Sequence, residues 1–289
     1  RQGLIRKANF ARHVSKVVMK RPDSVLATAI PAGIVIETWS AFEPPSGDCF
    51  VDPASAFAAC VAEAVDAMEA VPGKLWVLKP SLANKGAEVT VVRDAGAMLD
   101  VLRAWPDARE WVLQDYVDRP LTLGGRKFHI RAYVLAVGAL KVFLNHEGLL
   151  LIAVHPYDRE DIEDSYSHLT NTCVAADHDL FEEKQFVRKL TQLGPLLEKQ
   201  GTPDGGAVAH HIVAQMRAAL AHTFESFRGE FSSFMPLVNA FELFGVDFLV
   251  DETHRVQLLE FNAGPDLKQT GDRLGYVIED MLRGMVDVV

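Results

Sequence analysis

Cysteine is scarce in this 289-residue chain: Cys49, Cys60 and Cys173 are the three present. An odd count without metal-ligand spacing argues against a disulfide framework and against a zinc site, and leaves an intracellular setting as the default expectation. Apolar runs long enough to cross a bilayer are lacking too. The stretch from Val25 to Ala41 is interrupted by Pro31 and Glu37, and no signal-peptide pattern precedes it, so no membrane association is expected. There is no Pro/Ser/Gly-rich tract of linker length and no internal repeat, which predicts one compact body of two or three subdomains rather than a string of modules. The chain also begins at Arg1 without a methionine and is expected to be a piece of something longer.

Acid is missing from the first 21 residues, which hold seven basic ones: Arg1, Arg6, Lys7, Arg12, Lys16, Lys20 and Arg21. The remainder then carries 29 − 7 = 22 basic against 39 acidic residues. A basic edge on an acidic body can attract a polyanion such as an acidic peptide tail, or it can be a solvated helix face. The acidic body argues against broad nucleic-acid binding, and no direct contact with nucleic acid is expected.

The most informative stretch present is Phe241 to Asn262, FELFGVDFLVDETHRVQLLEFN. It predicts a strand from Phe241 to Val250, a turn holding Asp251 and His254, and a returning strand from Val256 to Phe261. Asp247 would face Glu260 and Asn262 across the pair, and the two-residue side-chain period puts Glu260 and Asn262 on one side with Phe261 on the other. Two carboxylates and an amide oxygen are hard ligands suited to Mg2+ held together with substrate phosphates. A solvated polar face is the plainer alternative.

The rest of the chain alternates α and β. Asp52-Pro53 should open a helix that runs to about Ala70 and stops at Pro72-Gly73. Strands are expected at Leu75 to Leu78, Val89 to Val92, Trp111 to Asp115, Lys127 to Val137, Leu140 to Leu144 and Leu149 to Ala153. Helices are expected at Ala95 to Ala104, Phe181 to Leu197, Ala209 to Phe227 and Asp272 to Val286, with Thr202 to Gly206 a mobile turn. Lys79 at a strand end and Lys85-Gly86 in the next turn place two cations and a permissive backbone where phosphates could lie, although solvated surface lysines would look the same. The segment Val112 to Tyr116 leaves its strand through a polar kink able to offer backbone groups to an adenine edge. Lys127 and Arg131 share a parity on RKFHIRAYVL, with His129 between them, so both cations face one side; salt bridges to neighbouring acids are the alternative.

These pieces, in this order, resemble the tubulin-tyrosine-ligase-like branch of the ATP-grasp ligases. The resemblance rests on GLIRK, PDSVL, LKPSLANKG, VLQDYVDRPLTLGGRKFHIRAYVL, HEGLLLIAVHPYD, SHLTNT, FELFGVDFLVDE and LLEFNAGP, and covers nearly the whole chain. The ending LLEFNAGPDLKQTG is most similar to fungal members described as P-body-associated. The resemblance implies an α/β (α+β) ATP-grasp fold with ATP between two subdomains, and a division into residues 1–72, 73–118 and 119–289. It implies an ATP- and Mg2+-dependent carboxylate–amine ligase that phosphorylates a peptide carboxylate and lets an amine attack the acyl phosphate. By position, Asp247, Glu260 and Asn262 match the metal ligands; Lys79, Lys85, Lys127 and Arg131 match the cations around ATP and the activated carboxylate; Gln114, Asp115 and Tyr116 match the adenine hinge; Thr170 and Asn171 match residues at the reacting phosphate. It further implies a cytoplasmic monomer, with P-bodies as a possible address, acting on an acidic, tubulin-like tail received by the basic N-terminal segment. The runner-up is a degenerate ATP-binding scaffold that contacts mRNA-decay proteins. Departures from the family pattern favour that runner-up: His129 stands where Asp is usual, Leu151 where Arg is frequent and His155 where Glu is, and Ala87-Glu88 replaces an acid-glycine pair.

Overall fold

The computed structural model describes residues 2–39, 53–82, 89–176, 178–230, 234–265, 267 and 272–289. Two antiparallel sheets organise them. The smaller has four strands in the order β1-β4-β2-β3, with β1 Gly33–Glu37, β2 Trp76–Pro80, β3 Thr90–Val92 and β4 Glu110–Asp115. The larger has seven strands. Its path is β11-β10-β6-β8-β9, with β6 Arg126–Val137, β8 Leu149–Ile152, β9 Val187–Lys189, β10 Phe241–Val250 and β11 Val256–Ala263, and both β5 Thr122–Leu123 and β7 Lys141–Leu144 add to β6.

Burial follows the strand period. On β6, Phe128, Ile130, Ala132 and Val134 enter the main core, while Lys127, His129 and Arg131 take the alternate positions facing the other way. Five helices of ten residues or more cover the sheets: α1 Lys7–Lys20, α2 Pro53–Glu69, α3 Ala95–Ala104, α4 Gly205–Phe227 and α5 Gly275–Val288. Helix α4 sinks Ile212, Met216, Ala219, Leu220, Phe224 and Phe227 into the large-sheet core, the helical spacing of one apolar stripe. Helices α2 and α3 cover the small sheet with Val61, Ala64, Met68, Met98 and Leu102 against Trp76, Leu78, Trp111 and Leu113. The start of α3 is fixed by Asp94, whose side chain accepts from the Ala97 N–H at 2.9 Å.

Helix α1 is a wedge between the two sheets. Its Phe10 meets the edge of Phe261 on β11 at 5.6 Å between centroids and stacks on Phe227 of α4, while the same helix packs on β1 and β4. The stretch expected to form one N-terminal unit therefore contributes to both cores: residues 2–30 to the large sheet, 33–39 and 53–69 to the small one.

One strand was not anticipated and two expectations about elements are corrected. Gly33–Glu37 is a strand, β1, which pairs with β4 from Gly33↔Gln114 to Glu37↔Glu110 and completes the small sheet. The helix expected from Phe181 to Leu197 is broken: Glu183–Phe186 and Leu193–Lys199 are helical, but Val187–Lys189 is strand β9 on the free edge of β8. Sheet pairing there overrides a helical pattern. Gly205 and Gly206 open α4 rather than forming a mobile turn, because a Cβ on Gly205 would lie 2.5 Å from the Gly194 carbonyl oxygen; only glycine lets the two helices approach this closely. The Asp52 cap and the Lys85-Gly86-Ala87-Glu88 turn lie outside the described residues.

Candidate active site

The two sheets face each other across a cavity of about 340 Å³. Eleven of the twelve residues expected at the site line it: Lys79, Gln114, Asp115, Tyr116, Lys127, Arg131, Thr170, Asn171, Asp247, Glu260 and Asn262. The twelfth, Lys85, falls outside the described residues. Lys7, His129 and His168 also line the cavity.

The register of β6, β10 and β11 assembles the charged wall. Asp247 on β10 lies opposite Arg131 on β6 and opposite Glu260 on β11. Both oxygens of Asp247 are engaged by Arg131, through Nε to Oδ1 and through Nη2 to Oδ2 at 2.9 Å. Asn262 Nδ2 donates to Asp247 Oδ2 at 3.1 Å and to Glu260 Oε1 at 3.3 Å. Beyond Asp247 the register shifts, so that Phe248 pairs with Leu258 and Leu259 is an extra residue. This bulge turns both Leu259 and Glu260 toward the cavity side, which strict alternation would forbid.

Lys79, on β2 of the small sheet, stands opposite this wall, and Lys127, on β6, belongs to the wall itself. Lys79 Nζ donates to Gln114 Oε1 at 2.8 Å, and Gln114 Nε2 donates to the Pro31 carbonyl at 3.3 Å, so the glutamine side chain orients the lysine. Lys127 Nζ donates to the Tyr116 hydroxyl at 2.7 Å; the hydroxyl donates to His168 Nδ1 at 2.5 Å, and His168 Nε2 reaches the Asp161 carbonyl at 3.1 Å. This chain fixes the His168 tautomer as Nε2–H.

Burial governs the titration of these groups. It pulls Lys127 down to about 7, with Lys79 repelling it further, and pulls Lys79 down to about 8, partly offset by Glu260. Burial also lowers His129 to about 4 despite nearby Asp247, so its imidazole is neutral at pH 7. Burial alone would raise Asp247, but the charge and hydrogen bonds of Arg131 outweigh it and hold the carboxylate ionised. Burial raises Tyr116, which remains a phenol.

His129 bonds Thr170 Oγ1 through Nδ1 at 2.5 Å, while its buried Nε2 has no hydrogen-bond partner and faces Asp247 Oδ1 at 3.6 Å. Among the described residues no three histidine, cysteine or acidic side chains converge as a self-sufficient metal cage. The set Asp247, Glu260 and Asn262 still fits Mg2+, which is commonly held by one or two carboxylates with substrate phosphates completing its shell.

The three described positions read from the sequence as departures from the family pattern separate in space. His129 is in the cavity wall, whereas Leu151 is packed with Leu149, Val187, Leu274 and Val277 under the start of α5 and does not line the cavity. His155 bonds Asp164 and His178 and is also outside the cavity wall. Much of the basic N-terminal segment is paired within the chain: Arg12 with Glu37 and Glu110, Lys16 with Glu230, and Lys7 with Glu260 at 3.2 Å. Among the described residues no helix is long and apolar enough to cross a membrane.

Of the residues the sequence did not single out, Lys7 appeared only as one of seven early cations. His168 sits inside the SHLTNT motif, two residues before Thr170, and that proximity was the available signal.

A probable tubulin–tyrosine ligase of Schizosaccharomyces pombe is 30% identical over 99% of this chain and 74% of its own length. The probable tubulin–tyrosine ligase PBY1 of Saccharomyces cerevisiae is 28% identical over 72% of this chain, which spans only 32% of that protein. Among solved structures, the C-terminal domain of K. lactis Pby1, described as an ATP-grasp enzyme interacting with the mRNA decapping enzyme Dcp2, superposes with a TM-score of 0.64 at 28% identity, covering 97% of this chain and 71% of that one. The sequence matches the family described as the tubulin-tyrosine ligase family over residues 46–289, and with an ATP-grasp fold around a cavity lined by lysines and carboxylates, the chain belongs to that family.

Proposed function

We propose that the chain is an ATP-dependent carboxylate–amine ligase that joins an amino acid to an acidic protein tail through an acyl phosphate. The observation behind it is the cavity itself: Lys79 on the small sheet faces a wall of the large sheet that carries Lys127, Arg131, Asp247, Glu260 and Asn262. Two lysines this deeply buried lower their own charge in the ligand-free protein, and a polyphosphate anion is the ligand class that restores it. Val77, Val91 and Leu249 supply apolar walls for a base.

In this reading an acceptor carboxylate oxygen attacks the γ-phosphorus of ATP; that O–P bond forms as the bond to the ADP oxygen breaks. The donor amine, having shed one proton, attacks the acyl carbon. The C–N bond forms, the C–O bond to phosphate breaks, and the second amine proton ends on the departing phosphate. Lys79 and Lys127 take up the phosphate charge, Arg131 holds the activated carboxylate, and Thr170 and Asn171 line the place of transfer. Mg2+, held by Asp247, Glu260 and Asn262, would supply charge neutralisation across the phosphates. No protein nucleophile is required.

The test is calorimetric titration with a nonhydrolysable ATP analogue, with and without Mg2+, followed by assay of ADP release with amino acids and acidic tail peptides. Mg2+-dependent binding and amino-acid-dependent ADP release are expected. Absence of binding under both conditions overturns the reading.

One observation favours a second reading, a nucleotide-binding module in mRNA decay. The K. lactis relative is described as interacting with a decapping enzyme, and the cavity wall here carries a neutral His129 where an acid is usual. ATP binding without amino-acid-dependent ADP release, together with capture of a decapping protein, is the outcome that selects it.

A further inference from the structure

A second cavity, of about 170 Å³, lies behind the first, between α1 and the strands β1, β4 and β11. Its body is apolar, lined by Phe10, Val14, Leu26, Ile30, Val112 and Leu259. Its charged end is the one it shares with the first cavity. Lys7, Lys79, Gln114 and Glu260 line both cavities and form the partition between them. Lys7 Nζ and Glu260 Oε2 stand 3.2 Å apart with 14% and 21% of their side chains exposed, one cation and one anion side by side at the entrance to an oily recess. Glu260 presents its other oxygen, Oε1, to Asn262 on the side of the ATP cavity.

A cation and an anion at this separation are the complement of a zwitterion, and the recess beyond is the complement of a hydrocarbon side chain. We propose that the second cavity binds the amine donor, and that the donor is an α-amino acid with an apolar side chain: its carboxylate on Lys7, its ammonium on Glu260 Oε2, and its side chain between Phe10 and Val112. Exchanging the Lys7–Glu260 pair for two ligand-mediated pairs keeps both charges compensated, so opening that end strands neither. The ammonium then lies on the partition, one carboxylate away from the cavity in which the acyl phosphate forms. A glycine would leave the recess unfilled. A glutamate would put a third acid beside Glu260 or bury its own charge among apolar groups, which is costly. The inference rests on the ligase reading and adds the donor's chemical class.

The test uses the whole chain saturated with a nonhydrolysable ATP analogue and Mg2+, titrated separately with L-leucine, L-phenylalanine, glycine and L-glutamate. Leucine or phenylalanine is expected to bind at least tenfold more tightly than glycine and glutamate. Equal or tighter binding of glycine or glutamate overturns the proposal, as does failure of all four to bind while the analogue binds. Failure of the analogue itself counts against the ligase reading instead. Ala11 of α1 also lines the recess, and Ala11→Phe, which adds a ring there, should weaken leucine binding at least tenfold with the nucleotide still bound. Unchanged leucine affinity in that variant also overturns the proposal; if the variant does not fold, the selectivity of the parent chain decides.

Discussion

Arg131 and Asp247 are cross-strand partners on β6 and β10, joined by two hydrogen bonds and both nearly sealed from solvent. Such a pair is costly to break from one side, because the survivor is left charged in a low-dielectric wall. Asp247→Asn is expected to destabilise the fold by about 3 to 5 kcal/mol, as read from urea denaturation. It should also abolish the Mg2+ dependence of nucleotide binding. A variant as stable as the parent would show that the pair is solvated.

His129 makes the fold acid-sensitive. Its folded value of about 4 lies below the ordinary histidine value of 6.5, so the unfolded chain binds the extra proton first as pH falls. The stability in question is fully present above pH 6.5 and is lost progressively between 6.5 and 4. At about 1.4 kcal/mol per pH unit the loss reaches about 3 kcal/mol. Urea midpoints of the parent and His129→Gln, compared at pH 7 and pH 4.5, should converge at the lower pH.

Nucleotide binding should carry protons with it. Lys127 at about 7 and Lys79 at about 8 are largely neutral at pH 8.5, and an anion beside them raises both. Calorimetry at pH 8.5 in buffers of different ionisation enthalpy should therefore report proton uptake, which disappears at pH 6, where both lysines are already charged. Lys127→Met should remove part of the uptake. Binding with no proton exchange at pH 8.5 would remove the lysines from the phosphate site.

Gly245 is the residue that lets Arg131 lie flat. An added Cβ would stand 2.9 Å from Pro265 Cβ and 3.3 Å from Arg131 Cδ, with little room for either to yield. Gly245→Ala is expected to cost about 1 to 3 kcal/mol by overpacking. By tilting the guanidinium it should lower ligation by more than it lowers nucleotide affinity, which a comparison of kcat with the ATP-analogue Kd would reveal.

Restoring the arginine usual in the family should not restore anything. Leu151 is enclosed by Leu149, Val187, Leu274 and Val277, so Leu151→Arg buries an unpaired charge and is expected to cost about 3 kcal/mol or more. A folded variant with raised ligase activity would contradict that placement.

How much of this could be read from the sequence depends on the range of the interaction. The parity of Lys127 with Arg131 and of Glu260 with Asn262 follows from the two-residue strand period, whereas the facing of Asp247 with Glu260 depends on the bulge at Leu259; all five side chains share one cavity. Helix α3 was legible to the residue because Asp94 is a local cap. Strand β1 was not, since GIVIE follows Pro31 at a sheet edge and its partner β4 lies far along the chain. Strand β9 was missed for the same reason: three residues have no periodicity of their own, and pairing with β8 defines them. The bulge at Leu259 left no mark in composition. The role of Lys7 depended on Glu260, at the opposite end of the sequence.

Glu260 gives the molecule one further property. It offers one oxygen to the Asn262 side and the other to Lys7, so a single negative charge is the common boundary of two compartments. A ligand that draws Lys7 away strengthens the field felt by a cation on the opposite side, and a cation drawn to the opposite side loosens Lys7 in return. Thermodynamic reciprocity requires the two effects to be equal in free energy, with couplings between sites typically about 1–3 kcal/mol. Affinities measured for either compartment alone are therefore conditional quantities, and the order in which ligands are added should change the apparent constants without changing their product.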